Sequence, residues 1–234
     1  MATSHGGPLA VALHDLQHIF GERLQAVAAY GLPGATPATC LALVRAISAD
    51  DLDKCAAHAA AWHRAGCATP LLLTLDEFAA SLDAFPIEYG EILETHQIIF
   101  GVDPFVSLSI QPEDLRRACE VQVKSHLLHL RQNFIECRGR QSAIGALVNE
   151  GAPSFALILR RLAKLDGAPA ATAADLSAFA ARRSGLDPRV VGDILAVAAQ
   201  QGGSGVDAAR LYQPYLAAVE SLWRFIDGWR AEAR

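Results

Sequence analysis

Beyond Pro112 the chain carries almost no strand signal: its apolar residues recur at three- and four-residue steps, helix after helix, as far as Trp229. Pro112 suits a first helical position, and Glu113 and Asp114 behind it suit the positive end of a helix dipole. The helix they open is predicted to run to Cys137, with Leu115, Ala118, Cys119, Gln122, Leu127, Leu130 and Phe134 tracing its apolar face. Further helices are predicted over 142–149, 154–165, 173–184, 188–200 and 206–229. Gly167-Ala168-Pro169 and Gly202-Gly203-Ser204-Gly205 serve as breaks between them. A chain patterned this way can only bury its stripes helix on helix, so 111–234 is predicted to be an all-α bundle.

The first 110 residues are patterned differently. Gln25–Tyr30, Cys40–Ile47 and Pro70–Thr74 are short apolar runs of about the length of buried strands. Between them, Asp50–Ala65 has helical spacing through Leu52, Ala56, Ala59 and Trp62, and Leu75–Phe85 has it through Phe78, Leu82 and Phe85. Pro86–Phe100 is ambiguous: its isoleucines favour strand, and Gly90 suggests a bulge or bend. Strands alternating with helices imply an α/β unit over 1–110, closed by the turn Gly101-Val102-Asp103-Pro104. The fold class expected is α+β: a small mixed sheet with flanking helices, then the bundle.

With 234 residues, 52% hydrophobic and 19% charged, the chain can bury a sizeable core and is too apolar for a disordered protein. A net charge of −5 gives no strong nucleic-acid signal. No membrane span is expected, because no continuous apolar run reaches the roughly 18 residues required. Met1–Pro8 has neither a basic start nor an apolar stretch, so no signal peptide is expected, and the location expected is cytoplasmic. The five cysteines are widely spaced and form no Cys-x-x-Cys, which predicts reduced thiols packed as small apolar groups.

Several blocks in the middle of the chain form a recognisable set: Pro70–Thr74 followed by Asp76-Glu77-Phe78, then Asp83–Tyr89, Gly101–Phe105, Asp114–Arg117 through Glu120 to Leu130-Arg131-Gln132, and Ser154-Phe155 to Leu165-Asp166-Gly167. Over Pro70–Gly167 the chain resembles bacterial nucleotidyltransferase-fold proteins with a helical C-terminal domain, of the kanamycin nucleotidyltransferase kind. The resemblance implies a nucleotidyltransferase-like unit over 1–110. In active members of that group a Gly-Ser turn after the first strand holds the nucleoside triphosphate (NTP). An Asp-x-Asp or Asp-x-Glu pair on the next strand binds two magnesium ions, and a third carboxylate on a later strand completes the site. Two hard cations clamp the phosphates, and oxygen ligands hold them.

This chain departs from that pattern. The turn reads Tyr30-Gly31-Leu32-Pro33-Gly34, so Gly31 remains and Leu32 stands where the serine belongs. On the second strand Thr39 and Leu41 take the places of the two aspartates. Gly31, Thr39 and Leu41 therefore mark a vestigial cleft with no cofactor-binding or metal-binding residue. Glu88 and Glu91 are the candidates for the third carboxylate, catalytic only if the site is active. Asp50-Asp51-Leu52-Asp53 contains an Asp-x-Asp, and its simpler reading is a helix start, with Ser48 or Asp50 as the cap.

The remaining chemistry-bearing residues read more simply as structure. His14 and His18 are four apart on a predicted helix, close enough in spacing to share a metal, and no third ligand is evident. His58 and His63 are five apart; His126 and His129 lie on the long helix. Arg116, Arg117, Lys124, Arg131, Arg138 and Arg140 are interleaved with Glu113, Asp114, Glu120 and Glu136, which predicts ion-paired helix faces ahead of an anion site. The arginine–histidine pair of helical nucleases associated with some of these folds is absent, as is a Gly-x-Ser-x-Gly elbow. Trp223, Phe225 and Trp229 read as a packing face, or as an oligomer contact if exposed. The function expected is a non-catalytic, nucleotidyltransferase-like protein with a binding or regulatory role, as a homodimer or with a protein partner. The alternatives are an active magnesium-dependent nucleotidyltransferase, with Asp50, Asp51 or Asp53 in a rearranged site, and a nucleotide or small-ligand binder.

Overall fold

The computed structural model describes residues 7–31, 36–200 and 205–229. Leu32 and the Gly202–Ser204 loop lie outside them. The chain divides into two compact units, 1–110 and 111–234.

In the first unit, α1 (Pro8–Phe20) leads through a short 3-10 turn into β1 (Leu24–Tyr30), followed by β2 (Thr39–Val44), α2 (Ala49–Arg64), β3 (Leu71–Leu73), α3 (Leu75–Ala80), α4 (Pro86–Thr95) and β4 (Gln97–Gly101). The strands form one mixed sheet in the order β3-β2-β1-β4. β1 pairs antiparallel with β2 and β4, while β2 and β3, joined through α2, run parallel. Both faces are covered, which is why the central strands are apolar throughout rather than alternating. Val27, Cys40, Ala42 and Val44 pack beneath α1 and α2 with Ala12, Leu16, Phe20, Cys55 and Trp62. Ala26, Ala28, Leu41 and Leu43 pack on the opposite face with Phe78, Tyr89, Ile92 and Phe105.

The ambiguous Pro86–Phe100 segment resolves into helix and then strand. Proline at the first helical position costs no hydrogen bond there, and Phe85 before it is driven out of the helical region (φ −126°, ψ 50°). α3 stops at Ala80, short of the expected Phe85, and a turn over 81–84 leads to Pro86. Thr74 caps α3 in a reciprocal box with Glu77.

The second unit holds α5 (Pro112–Cys137), α6 (Gln141–Leu165), α7 (Ala173–Ser184), α8 (Pro188–Gln200) and α9 (Ala208–Gly228), with α6 packed against α5, α8 and α9. The two helices expected over 142–149 and 154–165 are one. Ile144, Leu147, Val148, Gly151, Ala152, Phe155, Ile158, Leu159 and Leu162 make a continuous buried seam, and Pro153 faces outward from it. Packing along that seam outweighs the helix-breaking cost of proline, of the order of 3 kcal/mol. By length and mean hydropathy (1.3) α6 would also be long and apolar enough to cross a membrane, and half of that window is buried in the bundle.

Trp223, Phe225 and Trp229 are half-buried and engaged: the Lys124 ammonium sits 3.2 Å over the Trp223 ring, and the Arg183 guanidinium lies over Phe225 and Trp229. Val121, Leu128 and Ile135 instead stand exposed on α5 at seven-residue steps.

Candidate functional site

Gly31, Thr39 and Leu41, the residues expected to mark a vestigial cleft, lie at and beside the paired ends of β1 and β2. Gly31 has a φ of +87°, and its N–H donates to Thr95 Oγ1 at 3.3 Å. Thr39 donates its hydroxyl to the Tyr30 carbonyl at 2.6 Å, so it closes the strand ends on themselves. Leu41 is fully buried, on the face filled by Phe78, Tyr89 and Phe105. The Phe78 ring stacks on Tyr89 at 4.6 Å and leans on Phe105 at 5.0 Å. That aromatic layer covers the face of β2 on which Leu41 and Leu43 lie. None of the four strands carries a carboxylate. Glu88 and Glu91 lie on α4, not on a strand; Glu88 is exposed and Glu91 half-buried.

The Asp50–Asp53 run begins α2. Ser48 is its cap, accepting from the Asp51 N–H while the Asp51 carboxylate accepts from the Ser48 N–H at 2.9 Å. Sequence reasoning misses the next contact: Arg23 grips Asp51 through two bonds of 2.7 Å. The Arg23 guanidinium, followed by the Ser48 hydroxyl and N–H, holds the Asp51 carboxyl well below the usual carboxylate range. Asp51 thus clamps the start of α2 to the turn before β1. Its lowered pKa makes it stabilising above the ordinary carboxylate pKa of about 3.9, with the contribution lost as pH falls through the lowered value. Asp51→Ala is expected to lower the thermal midpoint of the first unit by several degrees at pH 7, with the gap to the unsubstituted protein closing in acid. A thermal melt followed by circular dichroism at pH 7 and pH 3 measures this; an equal gap at both values counts against the clamp.

A different cluster, on the α1–α2 surface, carries organised chemistry. Asp15 Oδ2 accepts from Trp62 Nε1–H at 2.9 Å and contacts His58 Nδ1 at 3.0 Å. The Asp15 side chain is 13% exposed and that of His58 37%. The His58 ring lies nearly parallel to Trp62, 6.2 Å away. Together with His18, Ile19, Lys54 and Ala57, His58 lines an open depression of about 310 Å³. The Lys54 ammonium is held by Asp50 at 2.7 Å. Sequence spacing pairs His14 with His18; the fold instead puts His18 and His58 in one depression and leaves His14 exposed on α1. Among the described residues, no three His, Cys, Asp or Glu side chains converge as a ready metal cage.

The basic residues of α5 are largely engaged by partners within the second unit. Arg116 bonds Glu113, Glu120 and the Ile226 carbonyl, Arg117 contacts Glu113, Arg131 pairs with Glu220, and Arg138 lies 4.0 Å from Glu136. His126 donates to or accepts from the Tyr215 hydroxyl at 2.6 Å, and burial pushes its pKa down to about 4. His63 contacts the Thr69 hydroxyl at 3.1 Å. All five cysteines are buried as free thiols. No family model, no curated protein and no solved structure matches the chain.

Proposed function

We propose that the chain is a nucleotidyltransferase-like protein without transfer chemistry, with a binding or regulatory role. The observation that carries this reading is the sheet itself: among the described residues none of the four strands bears a carboxylate, and Leu41 is packed with Phe78, Tyr89 and Phe105. Two-metal phosphoryl chemistry requires anionic oxygen ligands converging on open space. The order of strand, turn, second strand and later strand within one mixed sheet supports the nucleotidyltransferase-like half of the reading. The exposed Val121, Leu128 and Ile135 support a homodimer or protein partner, because a seven-residue step is the spacing at which a second helix packs. Asp50 and Asp51 do not favour the active alternative: Asp50 holds Lys54 and Asp51 holds Arg23 at a helix start.

The purified chain, incubated with magnesium and each of ATP, GTP, CTP and UTP, is expected to transfer no nucleotide. Turnover abolished by Glu88→Gln would sink the reading. Thermal melts with the same nucleotides, with and without magnesium, separate a nucleotide binder from a protein that binds only other macromolecules. A ligand of the folded state at a hundred times its Kd stabilises by about 2.7 kcal/mol.

A further inference from the structure

We infer that His18 and His58 form a binding site for a late first-row divalent cation, of the zinc or nickel type, on the α1–α2 surface. The argument begins with Asp15. It is mostly buried, and one of its oxygens meets both Trp62 Nε1–H and His58 Nδ1. Trp62 can only donate, so it pins that oxygen, which lies 3.0 Å from His58 Nδ1 and favours a proton on that nitrogen. The Nε2 lone pair of His58 is thereby left free for a ligand. A carboxylate behind an imidazole is the arrangement that orients metal-binding histidines and raises their basicity. His58 is further held by its near-parallel packing against Trp62, so little rotamer freedom remains to be lost on binding.

The second imidazole is His18, which lines the same depression from α1. Charge selects a cation over an anion there. Apart from the two imidazoles, the charged groups around the depression are Asp15, Asp50 and Lys54, which sum to one negative charge. The Lys54 ammonium is already taken up by Asp50, and the nearby Arg23 by Asp51. Two imidazole nitrogens suit zinc, nickel or copper and not magnesium, which requires oxygen ligands. The open depression leaves the remaining coordination positions to water. This inference does not depend on the nucleotidyltransferase-like reading, since it uses the opposite face of the sheet from Leu41.

Calorimetric titration of the untagged full chain with zinc, nickel and magnesium chlorides tests it. One zinc or nickel ion per chain is expected, with no magnesium binding in the same range. His18→Gln and His58→Gln are each expected to abolish the site. His14→Gln is expected to leave it intact, which distinguishes the site from simple chelation by His14 and His18 along α1. Asp15→Asn is expected to weaken affinity by roughly 10- to 100-fold. All four variants are checked for wild-type circular dichroism; His14 and His18 are exposed on α1, and His58 is partly exposed beside Asp15 and Trp62. Unchanged zinc and nickel binding in the His18→Gln, His58→Gln double variant overturns the inference. So does an Asp15→Asn variant with wild-type affinity, or a His14→Gln variant that no longer binds.

Discussion

Replacing Leu41 by aspartate, the residue type that a two-metal site would require there, is expected to unfold the sheet-bearing unit instead of building a metal site. Leu41 is fully buried among Ala28, Leu43, Phe78 and Tyr89. Truncating such a leucine alone costs about 2–5 kcal/mol. Aspartate adds a carboxyl to a layer made mostly of aliphatic and aromatic side chains, worth several kcal/mol more whether it ionises or stays protonated. The sum rivals the entire stability of a typical domain, about 5–15 kcal/mol. Leu41→Ala should retain a shifted but cooperative urea transition, and Leu41→Asp should show no folded baseline for this unit. Thr39→Asp is the contrasting change. Thr39 is half-buried and contributes one hydrogen bond, to the Tyr30 carbonyl. Its loss is expected to cost about 1 kcal/mol. A folded Leu41→Asp protein with an unshifted midpoint would mean that the space beneath Phe78 is open after all.

What could be read from the sequence was whatever is local. The change of pattern near Gly101–Pro104 falls just before Pro112, where α5 begins, and the first strands stand out because both of their faces are apolar. That the Asp50–Asp53 run starts a helix capped by Ser48 or Asp50 was equally legible, since capping is local; the structure selects Ser48 and closes a box with Asp51. The misses are contacts made at a distance. Pro86 opens α4 only because Tyr89 and Ile92 have a sheet face to cover, and α6 runs through Pro153 only because its seam has α5, α8 and α9 to bury against. The same limit applies to the sites. Arg23 and Asp51 are 28 residues apart, and Asp15 and Trp62 are 47 apart. Spacing along a helix ties His18 to His14, whereas the fold ties it to His58 on another helix. The absent carboxylates were visible because composition alone reports them; the packing that seals Leu41 was not.

The helical unit should carry a pH dependence centred on one buried imidazole. His126 lies largely within the bundle against Tyr215, whose hydroxyl is 2.6 Å from its Nε2 and whose ring is fully buried. Gly151 on α6 makes room for the pair: a Cβ there would come within 3.0 Å of both the His126 ring and the Tyr215 oxygen. Burial, and to a lesser extent the neighbouring His129, lower the His126 pKa from 6.5 to about 4. The folded state therefore disfavours the charged imidazole. Between pH 6.5 and 4 the unfolded chain takes up a proton that the folded chain refuses, so stability falls as pH drops through that window and levels off below it. A shift of this size is worth about 3 kcal/mol in full, of which about 2 kcal/mol is lost by pH 5. His126→Gln keeps a hydrogen-bonding partner for Tyr215 but cannot titrate. Its urea stability is expected to decline less between pH 7 and pH 5 than that of the unsubstituted chain, by about 2 kcal/mol. Because the other histidines are common to both proteins, the difference isolates His126. Parallel curves would show that this imidazole accepts its proton in the folded bundle as readily as in the unfolded chain.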